Sequence, residues 1–498
     1  MNNVKKGNVI SGLFWTYSER IAAQTVSLIV SVILARLLDP AHYGIVSIVM
    51  IFITLGDVFV TGGFGNALVQ KKDAEELDFN TILICSAFVS LVVYILIFVS
   101  APYIADFYNM PTIKAVLRVL GLRIPIAGFN SIQHARIQRK MAFKQFFTAT
   151  LFGTIISAII GIVMAYKGFG EWSLVAQYLS NTIIDTLILY FIDDWKPKLM
   201  FSMQRARELM TYGWKVLATT LIYTLEGDIR SLIIGKQFGS GDLAFYDQGR
   251  KFPNLFVANI CTSINKVIFP TMSSVQDDSI RIKQMSRTAI QVGTFLLTPL
   301  LIGLIAVADN FVKIVFTSKW LPCVPYLRIL TIVYLVRPMT TTCQQAILAI
   351  GKSDIILRIE AVLNIIALSL VCIAVFYFKS VLLIAVGSVI TEMVSISIFM
   401  FFMKKLVQYL YKEQIKDIVP SIMLSCIMGI MVYSISFFIM ASTPVLFLTQ
   451  IIMGVIIYIG GALLFRISGC IYLLKIIEQK MPDCAFHKIL YSYLYLHS

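Results

Sequence analysis

Charge is scarce in this chain. Only 14% of its 498 residues are Asp, Glu, Lys or Arg, against about a quarter in a soluble domain. Long hydrophilic stretches are missing too, and neither of the largest gaps, around Asp193–Met210 and Thr271–Arg287, has room for a soluble catalytic domain. The eight cysteines include no CxxC pair and sit mostly inside apolar runs, where a free thiol behaves as a small hydrophobe. A disulfide framework and a zinc site are therefore not indicated. P-loops, glycine-rich nucleotide loops and metal-ligand clusters are absent from the sequence, so nothing points to nucleotide hydrolysis or to a resident cofactor.

What the chain has is apolar length. Hydrophobic residues make up 58% and the mean hydropathy is +0.82. A membrane-spanning helix needs about 20 apolar residues. Runs of that size recur about fourteen times, from Leu13–Leu37 to Val445–Phe465. Short alternating segments of the kind a barrel requires are not seen. The first run is interrupted by Glu19 and Arg20 and has no small-residue cleavage site, so it reads as a retained span. The expected fold is an all-α membrane protein.

The net charge of +15 is dispersed in polar gaps between spans, which argues for membrane topology and against nucleic acid as a partner. With the N-terminus in the cytoplasm, the cytoplasmic loops collect Lys71, Lys72, Arg139, Lys140, Arg205, Arg207, Lys404 and Lys405 among others. The other side keeps mainly Lys114, Lys167, Lys236, Lys313, Lys319 and Lys379. This asymmetry places both termini in the cytoplasm.

The chain also repeats itself. ARLLDPAHYGIVS from Ala35 aligns without a gap with GKQFGSGDLAFYD from Gly235. Spans 1–6 and 7–12 match in hydropathy register, a feature of transporters. The expected division is an N-terminal six-helix lobe at 1–200, a C-terminal six-helix lobe at 201–404, two additional helices at 405–466 and a cytoplasmic tail at 467–498.

Charges inside a bilayer are costly and tend to face a cavity or one another. At about 100° per residue, Arg20, Gln24, Ser27 and Ser31 form one stripe on span 1, and Thr54, Asp57 and Thr61 one on span 2. Span 4 aligns Arg123, Asn130 and His134; span 7, Tyr223, Glu226 and Arg230; span 8, Arg250, Asn254 and Asn265; span 10, Arg337, Thr341 and Gln344. The stripes fall on spans 1, 2 and 4 and their repeat partners, and predict a hydrated, net-cationic cavity between the lobes. Arg20, Arg123, Arg250, Arg337, Asn130 and Asn254 are the candidate substrate residues, since Arg offers a fork suited to phosphate oxygens. Asp57 and Glu226 are the candidates for ion coupling, which would draw on a proton or sodium gradient. Simpler readings stand beside these. Glu226 and Arg230 are one turn apart and can neutralise each other. Arg20 can reach the headgroups, Asp57 can be an arginine partner, and His134 can be a satisfied buried histidine. Asp193–Asp194 and Asp277–Asp278 read as solvated turns.

Eight segments carry a family resemblance: GLFWTYSERI at Gly12, LARLLDPAHYG at Leu34, GGFGNALVQKKD at Gly62, FGEWSLVAQ at Phe169, WKPKLMFS at Trp195, LIIGKQFGSGDLAFYDQGRK at Leu232, VIFPTMSSVQDD at Val267 and KWLPCVPYLRIL at Lys319. The chain resembles the polysaccharide transporters, the Wzx-type O-antigen and exopolysaccharide flippases of the multidrug/oligosaccharidyl-lipid/polysaccharide superfamily. The resemblance implies a flippase of the bacterial inner membrane that moves an undecaprenyl-pyrophosphate-linked oligosaccharide, working by alternating access and without enzymatic chemistry. It also implies membrane lipids and other polysaccharide-assembly membrane proteins as partners, and a groove by spans 13 and 14 for the lipid tail. An ion-coupled small-molecule antiporter of the same fold is the alternative. A membrane polysaccharide polymerase fits less well, for want of a large exposed loop or an acidic catalytic motif.

Overall fold

The computed structural model describes residues 6–61, 68, 74–140, 142–438 and 442–480, with side chains omitted at 6–21 and at scattered helical positions. Helix is the only regular structure among the described residues. In a bilayer every backbone amide must be satisfied within its own segment, and the helix does that. Twelve helical stretches are long and apolar enough to cross a membrane. Two further helices, α1 (Lys6–Leu37) and a 36-residue helix at Met203–Phe238, are also long enough. Together they account for the spans expected from the sequence.

The chain forms two compact units, Met1–Ala244 and Phe245–Ser498. In the first, α1 is followed by α2 (Pro40–Thr61), α3 (Glu76–Tyr108), α4 (Thr112–Leu120), α5 (Arg123–Lys140), α6 (Phe143–Tyr166), α7 (Glu171–Ile192) and α8 (Met203–Phe238). Helices α6 and α7 pack along each other, α1 lies along α6, and α5 is held by α2, α3 and α7. The crossing of α3 and α5 is close because Gly128 has no side chain. A Cβ there would sit 2.9 Å from Ser90 Oγ, and Ser86 Oγ donates to the Gly128 carbonyl at 3.0 Å.

The fourth span is broken. Helix α4 stops before Gly121, and α5 begins at Arg123 with Pro125 in its first turn. A proline has no N–H to continue the preceding helix and is well tolerated in a first turn, so the break falls just before it.

The second unit runs through α9 (Ser240–Ser273), whose first residues belong to the preceding unit, then α10 (Ser279–Ala306), α11 (Ala308–Val315), α12 (Val324–Leu335) and α13 (Arg337–Ala349). It continues through α14 (Ser353–Cys372), α15 (Val381–Val407), α16 (Tyr411–Phe438), α17 (Thr443–Leu464) and α18 (Ser468–Lys480). Its third span breaks as the fourth span of the first unit does: α12 ends at Leu335 and α13 opens on Arg337 with Pro338 behind it. Helix α10 is the post against which α13, α16 and α18 pack. Large apolar side chains such as Phe88 and Leu96 on α3 and Ile430 on α16 point outward, as lipid-facing positions should.

Buried ion pairs tie the helices together. Arg287 on α10 grips Asp417 on α16 through Nε at 2.7 Å and Nη2 at 2.9 Å. Gln291 donates to Asp417 Oδ1 at 2.7 Å and Tyr409 to Oδ2 at 2.7 Å. Burial pushes the Tyr409 hydroxyl well above its ordinary titration range, with the Asp417 bond adding to the effect, so it stays a donor. Asp193 corrects the solvated-turn expectation. It is buried, 2.8 Å from Arg136 and 2.7 Å from Lys140, because the segment after α7 folds back on α3. There Trp195 stacks near Phe79, and the Lys198 and Ser202 amides donate to Asn80 and Thr81.

Candidate functional site

Inside the first unit, α2, α5 and α7 enclose a polar cavity of about 450 Å³. Helix α2 contributes Asp57 and Thr61; α5 contributes Arg123, Asn130, Ser131 and His134; α7 contributes Asn181, Thr182 and Asp185. The stripes on spans 2 and 4 thus face the same space, and Asp57, Arg123 and Asn130 line it together.

Arg123 Nη2 lies 3.5 Å from Asp57 Oδ2. That is a loose contact, since charge-assisted N–H···O bonds run about 2.7–2.9 Å. Arg123 Nε and Asp57 Oδ1 are both buried with no hydrogen-bond partner among the described residues. Deeper along α5, Asn130 Nδ2 donates to Asp185 Oδ2 at 2.8 Å and to Thr186 Oγ1 at 2.9 Å. His134 Nε2 also meets Asp185 Oδ2, at 2.9 Å, while Asp185 Oδ1 is buried and unpartnered. His134 is therefore neither isolated nor a purely apolar packing residue. Among the described residues, the cavity is lined by two carboxylic side chains, Asp57 and Asp185, one guanidinium, Arg123, and one imidazole, His134.

The second unit repeats the motif. Arg337 Nη2 stands 3.4 Å from Glu392 Oε2 on α15, again a single loose contact, and its Nε is buried and unpartnered. Thr340 Oγ1 donates to Glu392 Oε1 at 3.2 Å. Arg250 on α9 pairs with Asp247 at 3.1 Å. Asn254 is exposed on α9. The side chains of Arg20 and Glu226 lie outside the described residues.

Both arginines begin the second half of a broken span. A helix N-terminus carries the positive end of the helix dipole and free N–H groups, so anions are favoured there. A guanidinium at that spot deepens the preference for an anion. This feature, with Asp185 and Glu392, is what the stripe argument missed. The signal was present: Gln177, Asn181 and Asp185 on span 6, and Ser388, Glu392 and Ser395 on span 12, are spaced at helical intervals.

The sequence matches the family described as polysaccharide biosynthesis protein over residues 33–325. The chain belongs to that family. It is 23% identical to the succinoglycan biosynthesis transport protein ExoT of Rhizobium meliloti (66% of this chain, 67% of the relative). Against the lipopolysaccharide biosynthesis protein WzxC of Escherichia coli it is 23% identical (70% and 71%). Against the teichuronic acid biosynthesis protein TuaB of Bacillus subtilis it is 24% identical (70% and 72%). Among solved structures, the lipid II flippase MurJ in an inward closed conformation superposes with a TM-score of 0.71 at 17% identity, covering 92% of this chain and 98% of that one. An inward-facing multidrug transporter of the MATE family gives 0.61 at 14% identity, over 78% and 96%. The fold is that of the multidrug/oligosaccharidyl-lipid/polysaccharide superfamily, and the protein is a multi-pass membrane transporter, not an enzyme.

Proposed function

We propose that this transporter flips an undecaprenyl-pyrophosphate-linked oligosaccharide, an O-antigen, capsule or exopolysaccharide repeat unit, across the bacterial inner membrane by alternating access. The observation that carries the reading is the pair of loosely held arginines, Arg123 and Arg337, each at the N-terminal end of a half-helix. A pyrophosphate presents several anionic oxygens, which suit two guanidinium groups whose hydrogen-bonding capacity is only partly used within the protein. In this reading Arg20, Arg123, Arg250 and Arg337 hold the pyrophosphate, and Asn130 and Asn254 the first sugar. Asp57 and Glu226 couple an ion gradient to the movement. Residues 1–200 and 201–404 are the repeat halves, and 405–466 flank the lipid tail. Residues 467–498 lie with the N-terminus in the cytoplasm. The names of the relatives, which refer to succinoglycan, lipopolysaccharide and teichuronic acid, support a sugar polymer precursor as cargo.

The test is export in a strain lacking the native gene. Arg123→Ala and Arg250→Ala are expected to abolish surface polysaccharide while inserting in the membrane at normal abundance. Normal export by both variants would overturn the phosphate-binding role. One observation favours a small-molecule antiporter instead: Asp57 and Asp185 face one cavity, a setting suited to an organic cation. Proteoliposomes separate the two readings, because the flippase moves lipid-linked sugar and leaves a cationic dye gradient untouched.

A further inference from the structure

The His134–Asp185 pair has a geometry that neither anion binding nor helix packing needs. Asp185 Oδ2 receives two donors, Asn130 Nδ2 at 2.8 Å and His134 Nε2 at 2.9 Å, while its Oδ1 is buried with no partner. Asn130 is itself fixed by Thr186, whose hydroxyl donates to the Thr182 carbonyl at 2.7 Å. Phe146 packs at right angles to the imidazole with ring centroids 4.6 Å apart, which sets the ring plane. With Nε2 committed to Asp185, His134 still lines the cavity, and none of the bonds it makes engages Nδ1. Among the described residues, the charged side chains lining the cavity with the pair are Asp57 from α2 and Arg123 from α5, and α6 brings Phe146. Arg123 offsets one carboxylate and leaves the other uncompensated in a membrane-embedded cavity, where an unbalanced charge is costly.

We propose that His134 and Asp185 form a proton-binding site, in which a hydronium ion reaching the cavity gives its proton to His134 Nδ1 and the resulting imidazolium is held by Asp185. One O–H bond of the hydronium breaks, one N–H bond forms, and neutral water is left behind. With both carboxylates ionised, the step brings the formal charge of Asp57, Arg123, His134 and Asp185 together to zero. The use of that proton to drive transport rests on the transporter reading above; the binding itself does not.

The test is nitrogen NMR of the full chain in lipid nanodiscs, with ring-labelled histidine and His134→Gln to assign the signal. His134 is expected to titrate, and Asp185→Asn to lower its midpoint by about one unit or more, since an opposite charge within hydrogen-bond reach shifts a titration by that amount. Asp185→Glu, which keeps the acid, is expected to hold the midpoint within about half a unit, and it guards against misfolding of the Asn variant. An imidazole that stays neutral down to about pH 5, or a midpoint unmoved in Asp185→Asn, would overturn the site. So would a midpoint that shifts when sodium replaces potassium, because the ligand would then be a metal cation. Failure of the substrate reading is seen separately, as normal polysaccharide export by the Arg123 variant with His134 still titrating.

Discussion

Arg287 and Arg123 are both arginines on membrane helices facing an aspartate, and they are held in opposite ways. Arg287 meets Asp417 through two short bonds, and Gln291 and Tyr409 complete the carboxylate's shell. Arg123 touches Asp57 once, at 3.5 Å, with a buried atom on each side left unpartnered. Arg337 and Glu392 follow the Arg123 pattern. A closed pair has nothing further to offer and serves as a fastener. An open pair stores unsatisfied hydrogen-bonding capacity, which is costly in a buried setting and which a polar ligand would relieve. The open pairs sit where a span is broken and a helix N-terminus is bared. The closed pair sits where α10 takes hold of α16.

The comparison breaks most visibly at Asp417. Asp417→Ala removes both short bonds to Arg287, leaves that guanidinium only the 3.7 Å contact with Glu413, and leaves the Gln291 and Tyr409 donors unmade, together a cost of about 3–5 kcal/mol. Thermal unfolding of the purified protein should show a large fall in Tm, with export per folded molecule preserved. Next comes Arg123→Ala, which should bring export close to nothing, a loss of roughly 100-fold or more, equivalent to about 2.7 kcal/mol or more of lost ligand interaction, with a Tm close to that of the parent. Arg123→Lys should recover only part of it, because a point charge cannot reproduce the guanidinium fork. Smaller still is Asp57→Asn, expected to cost about 1 kcal/mol or less of stability, since the contact is loose and Arg123 borders the cavity. A Tm loss as large as that of the Asp417 variant would erase the distinction between open and closed pairs. The smallest effect is at Lys198–Glu76, an exposed pair at 2.9 Å. Lys198→Ala should shift stability by under about 0.5 kcal/mol.

Much of this was legible in the sequence, and its limits have physical causes. Hydropathy sees each helix by itself, so the spans and their order were readable, including α1 and α8, whose composition is more polar. Helical periodicity reports which face of a helix is polar, and it put Asp57, Arg123 and Asn130 on inward faces. It does not report which helix lies opposite. The Asp57–Arg123 and Asn130–Asp185 contacts join residues far apart in the chain and exist only once α2, α5 and α7 are packed. The break before Arg123 was hidden because Pro125 removes a single backbone donor, a change too small to split the hydropathy of the fourth span into two runs. Asp193 looked solvated for the same kind of reason. Its burial follows from Trp195 docking on Phe79, a tertiary event with no local signature.

The account turns on Arg123 as a binder of anionic lipid headgroups, and the most direct measurement is native mass spectrometry of the purified chain with undecaprenyl pyrophosphate and with undecaprenol. The parent protein should bind the pyrophosphate lipid well above the neutral one, and Arg123→Ala should lose about tenfold or more of that preference. Equal binding of the two lipids by the parent, or an unchanged preference in the variant, would contradict the central claim.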